Sequence, residues 1–515
     1  MVPNTRPTVG RARTCSLLGC SVLAGSMLWH VAAYAQTPPP GSLTQLVTSA
    51  PAGTFDQLEE LSAFANQASY NFLTGNPRGA TYCDPGQSTP SATCQGGVFL
   101  AFSNLRTLIQ SANELLDNGQ PTQYSLHTDD LGLGFALQWT AGEEAAAPGS
   151  VATQFANGQL SSVASRITAL RFGASGFSLG AMNTGQQGAP MYADDSPRAL
   201  GGGASADGGD IGIASRWGGF LNGSFGWGKR DPSILEDAFA FDSKDATAGV
   251  DYRLTRTFVI GISAGYTAQR IDFNSALSVA GGGVRSTGYS SVIYALWDWN
   301  GPYLSGSVGW QRLDYQTTRL ITYPSFNIAV PSVNATAYGS PRSNALLGTL
   351  TFGWSFTPRA WTLEPYVTAD YRDITIAAFH ETSLINAGPD AGQPAGFDLA
   401  YASQSIRLLD AAVGARIQYA FKPSFGVIVP YVRGEYHRTF DSNPYTVVST
   451  YAAIAGSGAD FALPSDAPQR HYYVAAGGFS LVLPHGIQAF AQFEEVAGMQ
   501  YVSDRQITGG IRAEF

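Results

Sequence analysis

From Ile211 onward, apolar and polar side chains alternate one for one, the period of a β-strand with one apolar and one polar face. Thr257–Gln269 shows it. Phe258, Ile260, Ile262, Ala264, Tyr266 and Ala268 fall on one face, opposite Thr257, Ser263, Thr267 and Gln269, with Val259 the one sizeable apolar residue among the polar set. Near the end, Ile507, Gly509, Ile511, Ala513 and Phe515 alternate with Gln506, Thr508, Arg512 and Glu514. Twelve strands read this way, near 212–228, 244–254, 257–270, 285–299, 302–318, 342–356, 361–377, 405–420, 425–440, 469–483, 486–495 and 503–515.

The connections alternate as well. Short turns at Leu254-Thr255-Arg256, Asn300-Gly301, Thr357-Pro358-Arg359-Ala360, Lys422-Pro423-Ser424 and Pro484-His485 separate long loops near 229–243, 271–284, 319–341, 378–404 and 441–468. Short turns at one end and long loops at the other are expected of a transmembrane barrel, and an even strand number leaves both ends of the sheet on one side. Strand charges sort to one face: Asp370 with Arg372, Asp410 with Arg416, Arg433 with Glu435, Arg512 with Glu514. An Arg at the lipid midplane costs about 2–4 kcal/mol, so these belong in the lumen.

Before the barrel the period changes to that of helices. Phe55, Leu58, Leu61, Phe64 and Ala68 form one stripe; Val98, Phe102, Leu105, Ile109, Ala112 and Leu116 a second; Val151, Phe155, Val163, Ile167 and Leu170 a third, weakened by Gly158. A glycine-rich polar linker, 173–210, follows, and Pro38–Pro40 forms a spacer at the start. Either the third helix or the linker is long enough to cross the barrel. The apolar stripe of that helix fits a helical bundle better than a polar lumen, which favours the linker as the pore segment, with the helix as the alternative.

The first 35 residues read as a secretory signal: Arg6, Arg11 and Arg13, an apolar run from Leu17 to Ala33, and Ala33-Tyr34-Ala35 before cleavage between Ala35 and Gln36. The rival lipobox reading of Leu18-Gly19-Cys20 places the cysteine too early in the apolar run. The domains are therefore a signal peptide, 1–35; a mainly helical region, 36–172; the linker, 173–210; and an all-β barrel, 211–515. Export leaves Cys83 and Cys94, which close a loop holding Pro85, Gly86 and Pro90; in an oxidising compartment they form a disulfide. No histidine lies near the pair, which argues against a metal site, and no cofactor or metal is expected.

Composition agrees. Removing the three signal arginines leaves 26 of 29 Lys+Arg against 38 Asp+Glu, a balance of −12, which excludes nucleic acid as a partner. Charged residues make up only 13% of the chain, with 59 glycines and 24 tyrosines. After residue 35 no apolar run approaches the roughly 20 residues of a membrane helix. Only helices and closed barrels satisfy the backbone in lipid, so membrane lipid should be met by the strands.

Twelve C-terminal strands ending in Ile511-Arg512-Ala513-Glu514-Phe515 resemble the translocator domain of autotransporters, the type V secretion family. Arg216-Trp217-Gly218-Gly219-Phe220-Leu221-Asn222-Gly223 is similar to the opening strand of that domain, and Gly142-Glu143-Glu144-Ala145 to the segment preceding it. The resemblance implies outer-membrane insertion by the barrel-assembly machinery with periplasmic chaperones, Phe515 as an assembly signal, and carriage of the N-terminal region to the cell surface. Typical passengers are long β-solenoids, whereas 36–172 reads as helices. Some members cut themselves at an Asn-Asn pair, which this chain does not contain, so an uncleaved passenger is expected.

Enzymatic signals are weak, and no catalytic residue is assigned. Gly176-Phe177-Ser178-Leu179-Gly180 and Gly261-Ile262-Ser263-Ala264-Gly265 match a nucleophile-elbow pattern, yet that motif needs a strand–turn–helix setting. The first falls in the linker and the second inside a strand. His437, beside Arg433 and Glu435, has the placing of a hydrolase base but no serine to complete it. The readings that stand are surface display of a small disulfide-stapled helical domain, with adhesion to an unidentified surface or host ligand; and, as alternatives, a diffusion channel with a periplasmic or lumen-plugging N-terminal region, or an outer-membrane esterase.

Overall fold

The structure, a computed structural model, describes residues 38–171, 216–274, 281–299, 301–440, 444–483 and 488–514. The signal segment with Ala35 and Gln36, the linker 173–210, Ser178 and Phe515 lie outside the described residues.

Twelve antiparallel strands close a barrel: β1 (Trp217–Arg230), β2 (Phe239–Arg253), β3 (Phe258–Phe273), β4 (Gly282–Asp298), β5 (Pro302–Tyr323), β6 (Arg342–Trp354), β7 (Trp361–Ile376), β8 (Gln404–Tyr419), β9 (Val427–Thr439), β10 (His471–Val482), β11 (Gln488–Ala497) and β12 (Val502–Glu514). Each pairs with its chain neighbour, and β12 returns to β1 from Gly218↔Glu514 to Arg230↔Val502, so no edge is left open. The faces sort as the alternation predicts. On β3, Ile260, Ile262 and Tyr266 are exposed outward, while Ser263, Thr267 and Gln269 are buried in the lumen. Outward aromatics form two bands: Trp217, Trp297, Trp354 and Trp361 beside the short turns, and a second band of Tyr266 and Tyr289, midway along strands that continue beyond it, with Tyr436 and Tyr473 near the long loops. That is the two-girdle pattern of a barrel in a bilayer.

The long loops carry structure of their own. The end of β5 extends past its partner β6 and pairs with a strand at Val333–Gly339, which in turn pairs with Thr382–Ile385. A separate four-stranded sheet joins Phe379–His380, Leu399–Tyr401, Thr446–Tyr451 and Phe461–Pro464. The regions read as bare loops at 319–341, 378–404 and 441–468 are thus partly β-paired, because backbone polar groups next to a packed surface need partners.

On this platform sit four helices: α1 (Ser42–Ser49), α2 (Gln57–Thr74), α3 (Gly97–Leu116) and α4 (Asp130–Ala141). α2 opens with a reciprocal cap in which Asp56 accepts from the Glu59 amide and Glu59 from the Asp56 amide, each at 2.8 Å. Cys83 and Cys94 are disulfide-bonded before α3. Helix and loop side chains share two cores. One joins Leu58, Phe102 and Leu105 to Tyr401, Tyr451 and Phe461; the other joins Leu43, Leu108 and Leu137 to Ile321, Tyr323 and Phe397.

The third helical stripe does not join this bundle. After a single 3-10 turn at Glu143–Ala146, α5 (Ala147–Arg171) runs down the inside of the barrel. The expectation that the linker occupies the pore is therefore corrected: α5 lies there. The lumen wall is not uniformly polar. Val259, the exception in the alternation of β3, joins Phe220, Val292, Tyr294 and Leu296 in an apolar patch that receives Val163, Ile167 and Leu170.

Candidate functional site

The lumen and its mouth hold the molecule's densest buried chemistry. Near its beginning α5 is received by apolar side chains: Val151 and Phe155 pack with Leu313, Leu347, Ile374 and Ile406. Tyr315 Oη donates to the Pro148 carbonyl at 3.2 Å, and Gln311 Nε2 to the Ala152 carbonyl at 2.8 Å. Midway, Gln159 Oε1 accepts from Ser290 Oγ at 2.8 Å and Thr247 Oγ1 at 3.2 Å. Gly265 faces it, where any Cβ would overlap the Gln159 amide.

Toward the short turns the helix is held by charge. Arg166 donates from Nε and Nη2 to both oxygens of Asp251, at 2.7 and 2.9 Å, and Tyr294 Oη donates to the same carboxylate at 3.0 Å. Arg171 pairs with Glu364 at 2.5 Å and lies over the Tyr303 ring; Arg512 donates to Ser165 Oγ at 2.6 Å. These pairs are buried, and breaking one by removing a partner typically costs about 3–5 kcal/mol.

The other side of the lumen is filled by a network. Arg433 pairs with Glu494 and Glu435, and Arg372 with Asp410. Tyr366 Oη donates to Glu435, Tyr431 Oη donates to Gln492, and Arg416 lies over the Tyr431 ring. Arg433 thus pairs across the lumen face with Glu435, as the sorting of strand charges anticipates. Asp410 is matched to Arg372 of β7 rather than to Arg416 of its own strand.

Where α5 leaves the mouth, carboxylates crowd together. Glu143 and Glu144 are more than nine-tenths buried beside Asp237 of the β1–β2 loop. Burial pushes the Glu143 carboxyl well above its usual range, with the charges of Glu144 and Asp237 adding to the effect. Burial likewise pushes Glu144 up to about 8, against the pull of Arg319. Arg319 itself is engaged by Glu381 through Nε and Nη2, at 3.2 and 2.6 Å, and donates to the Trp139 and Phe397 carbonyls at 3.1 Å each. Next to them Arg230 joins Glu236 and Asp466. Sequence reading flagged Gly142-Glu143-Glu144-Ala145 by resemblance only; its burial depends on loops distant in the chain.

The enzymatic candidates do not assemble. Ser263 lies within β3, buried, with its hydroxyl 3.5 Å from the Val292 carbonyl, not on a turn between strand and helix. His437 Nε2 meets Glu435 at 3.0 Å, and its ring stacks on Tyr472, a lumen network contact. Among the described residues no group of His, Cys, Asp and Glu is arranged to hold a metal ion.

A closed barrel with lipid-facing apolar bands, two aromatic girdles and a charged, filled lumen defines an outer-membrane β-barrel protein. The autotransporter β-domain family model matches residues 219–494, more than half the chain; the chain belongs to the autotransporter family. Among solved structures it is similar to the translocator domain of the autotransporter NalP from Neisseria meningitidis, at 13% identity and a TM-score of 0.44 over 58% of this chain and 89% of that one. The β domain of the Bordetella autotransporter Brka matches at 17% identity and 0.39, over 58% and 99%. The Ralstonia pickettii toluene transporter TbuX matches at 12% identity and 0.38, over 58% and 90%. At such TM-scores these likenesses are loose, and the family match carries the assignment. A search of curated proteins returns no match. Apart from members that cut their own chain, the translocator barrel of this family is not catalytic.

Proposed function

We propose that the barrel displays the four-helix domain at the cell surface, with α5 as its tether through the outer membrane. The supporting observation is the direction of α5. It starts at the long-loop end, where Tyr445 Oη donates to the Ala146 carbonyl at 3.0 Å, and finishes at the short-turn end beside Glu364. Long loops face outward in this class of barrel, so the helices seated on them are outside. A channel plugged from the periplasm would carry its extra domain at the opposite end.

In this reading a signal peptide at 1–35 directs export, chaperones and the barrel-assembly machinery insert the strands, and Phe515 contributes to recognition. The displayed helices and their connections carry Arg78 and Arg106 as their cations among many carboxylates, so an adhesive partner would be met through its basic groups. The test is an epitope tag inserted after Pro90, an exposed position in the disulfide loop. Antibody should bind intact cells. A tag reached only after the outer membrane is opened, in a barrel that is correctly closed, would reject display and support the channel.

A further inference from the structure

The mouth of the barrel holds more acid than base. Glu143 and Glu144 sit in the single turn that joins the helical cap to α5, 6% and 8% exposed. From the β1–β2 loop Asp237 reaches the Glu143 carboxyl within hydrogen-bonding distance, a contact between two carboxyls that only a shared proton makes attractive. One oxygen of each, Glu143 Oε2, Glu144 Oε2 and Asp237 Oδ2, is buried and accepts no hydrogen bond. A buried, fully ionised carboxylate would not be left in that state.

The surrounding groups do not neutralise the trio. From β5, Arg319 faces Glu144, but its charge is committed to Glu381 of the loop after β7. From the same loop, Tyr401 donates to the Gly142 carbonyl at 3.3 Å and faces Glu381. On the far side of Asp237, Glu236 and Asp466 share Arg230, with Tyr445 beside them. Among these groups, two guanidinium ions face six carboxyls. Protons on the carboxyls make up the difference.

We propose that Glu143 and Glu144, packed against Asp237, form a proton-operated latch, which seats the helical cap on the barrel mouth while the two glutamates are protonated and releases it when their protons are lost. The direction follows from linkage. Carboxyls that hold protons more tightly in the seated state favour that state at low pH, and the preference fades as pH rises through their seated-state range. For Glu144 that range is centred at about 8. Ionisation places uncompensated like charges at the point where cap, loop and α5 meet, and moving the cap outward hydrates them. The release is a change of position; it breaks no bond and leaves α5 in the lumen.

The experiment uses the full chain in detergent, spin-labelled at Gln120→Cys in the cap and Arg256→Cys in a short turn, with the distance distribution recorded from pH 6 to pH 9.5. The unaltered latch should give one narrow distribution at pH 6 that broadens and lengthens with a midpoint near pH 8. Glu143→Gln with Glu144→Gln, the neutral mimic of the protonated pair, should keep it narrow throughout. A distribution that stays narrow with all three acids present, or that broadens equally in the double variant, overturns the latch. If the double variant does not close its barrel, Asp237→Asn alone serves: its broadening should move to higher pH, and an unmoved transition counts against the proposal.

Discussion

Single residues in this chain are decided by what approaches them after folding. Glu59 caps its own helix and packs under α4, where any Cβ at Gly134 would run into its carboxylate. Burial pushes its pKa up to about 7, opposed by the Asp56 amide and reinforced by the charge of Asp56. A raised carboxyl contributes stability at low pH and loses it as pH climbs from the unfolded value near 4.5 through the folded one. Between pH 5 and pH 7 the helical signal should therefore lose resistance to denaturant, with Glu143 and Glu144 contributing over the same interval, so the share of Glu59 is read from its own variant. Glu59→Gln should remove about 1 kcal/mol of that loss after allowance for solvent screening. Equal slopes in the two proteins, followed by circular dichroism, would show that Glu59 is not the titrating group. The same crowding explains why α4 escaped the sequence reading. Gly132 and Gly134 dilute its apolar pattern, although Asp129 accepting from the Gly132 amide at 2.9 Å is a legible N-cap. Gly134 is there because α2 comes too close for a side chain.

Elements were legible in proportion to how far their pattern is local. The strands could be read because lipid on one side and lumen on the other impose a strict alternation, and a slip of one residue would invert it. Val413, 63% exposed on β8, faces lipid, while its neighbour Ala412 is 2% exposed inside. Val413→Arg should cost about 2–4 kcal/mol if near the midplane and reduce the heat-modifiable barrel on gels. Val413→Leu should leave the yield unchanged. Undiminished barrel in Val413→Arg would mean that this face does not meet lipid. The fate of α5 was not legible, because its apolar stripe fits a bundle better than the polar lumen that the strand alternation implies. What decides between them is the patch of Phe220, Val259, Val292 and Leu296, which exists only once β1, β3 and β4 stand side by side in the barrel. A lone valine in a polar alternation was the visible trace of it.

At the scale of the whole molecule, cap and barrel are finished by each other. Tyr451 of the loop sheet donates to Asn66 of α2 at 2.8 Å, and Asn327, in the loop after β5, donates to the carbonyls of Gln123 and Ser125 at 3.0 and 2.8 Å. The loops would expose Phe397, Tyr401 and Phe461 without the cap, so what reads in sequence as passenger and pore is physically one interface. The filled lumen bears on something else: the electrical resistance of the envelope. A twelve-stranded barrel emptied of α5 would offer ions a wet path from one side of the membrane to the other, whereas here α5 packs in the lumen with Arg166 seated on Asp251. Asp251→Ala removes the carboxylate that Arg166 grips with two hydrogen bonds, breaking a buried pair at a cost of about 3–5 kcal/mol, which should loosen α5 in the lumen. In a planar bilayer the parent protein should be silent and Asp251→Ala should show intermittent current, with Asp251→Asn between them. An alanine variant as quiet as its parent would mean that the seal is kept by the apolar patch alone. On the proposed display reading, every copy in the membrane would otherwise be a leak, and a silent parent beside a conducting alanine variant would make this buried pair part of the cell's outer permeability barrier.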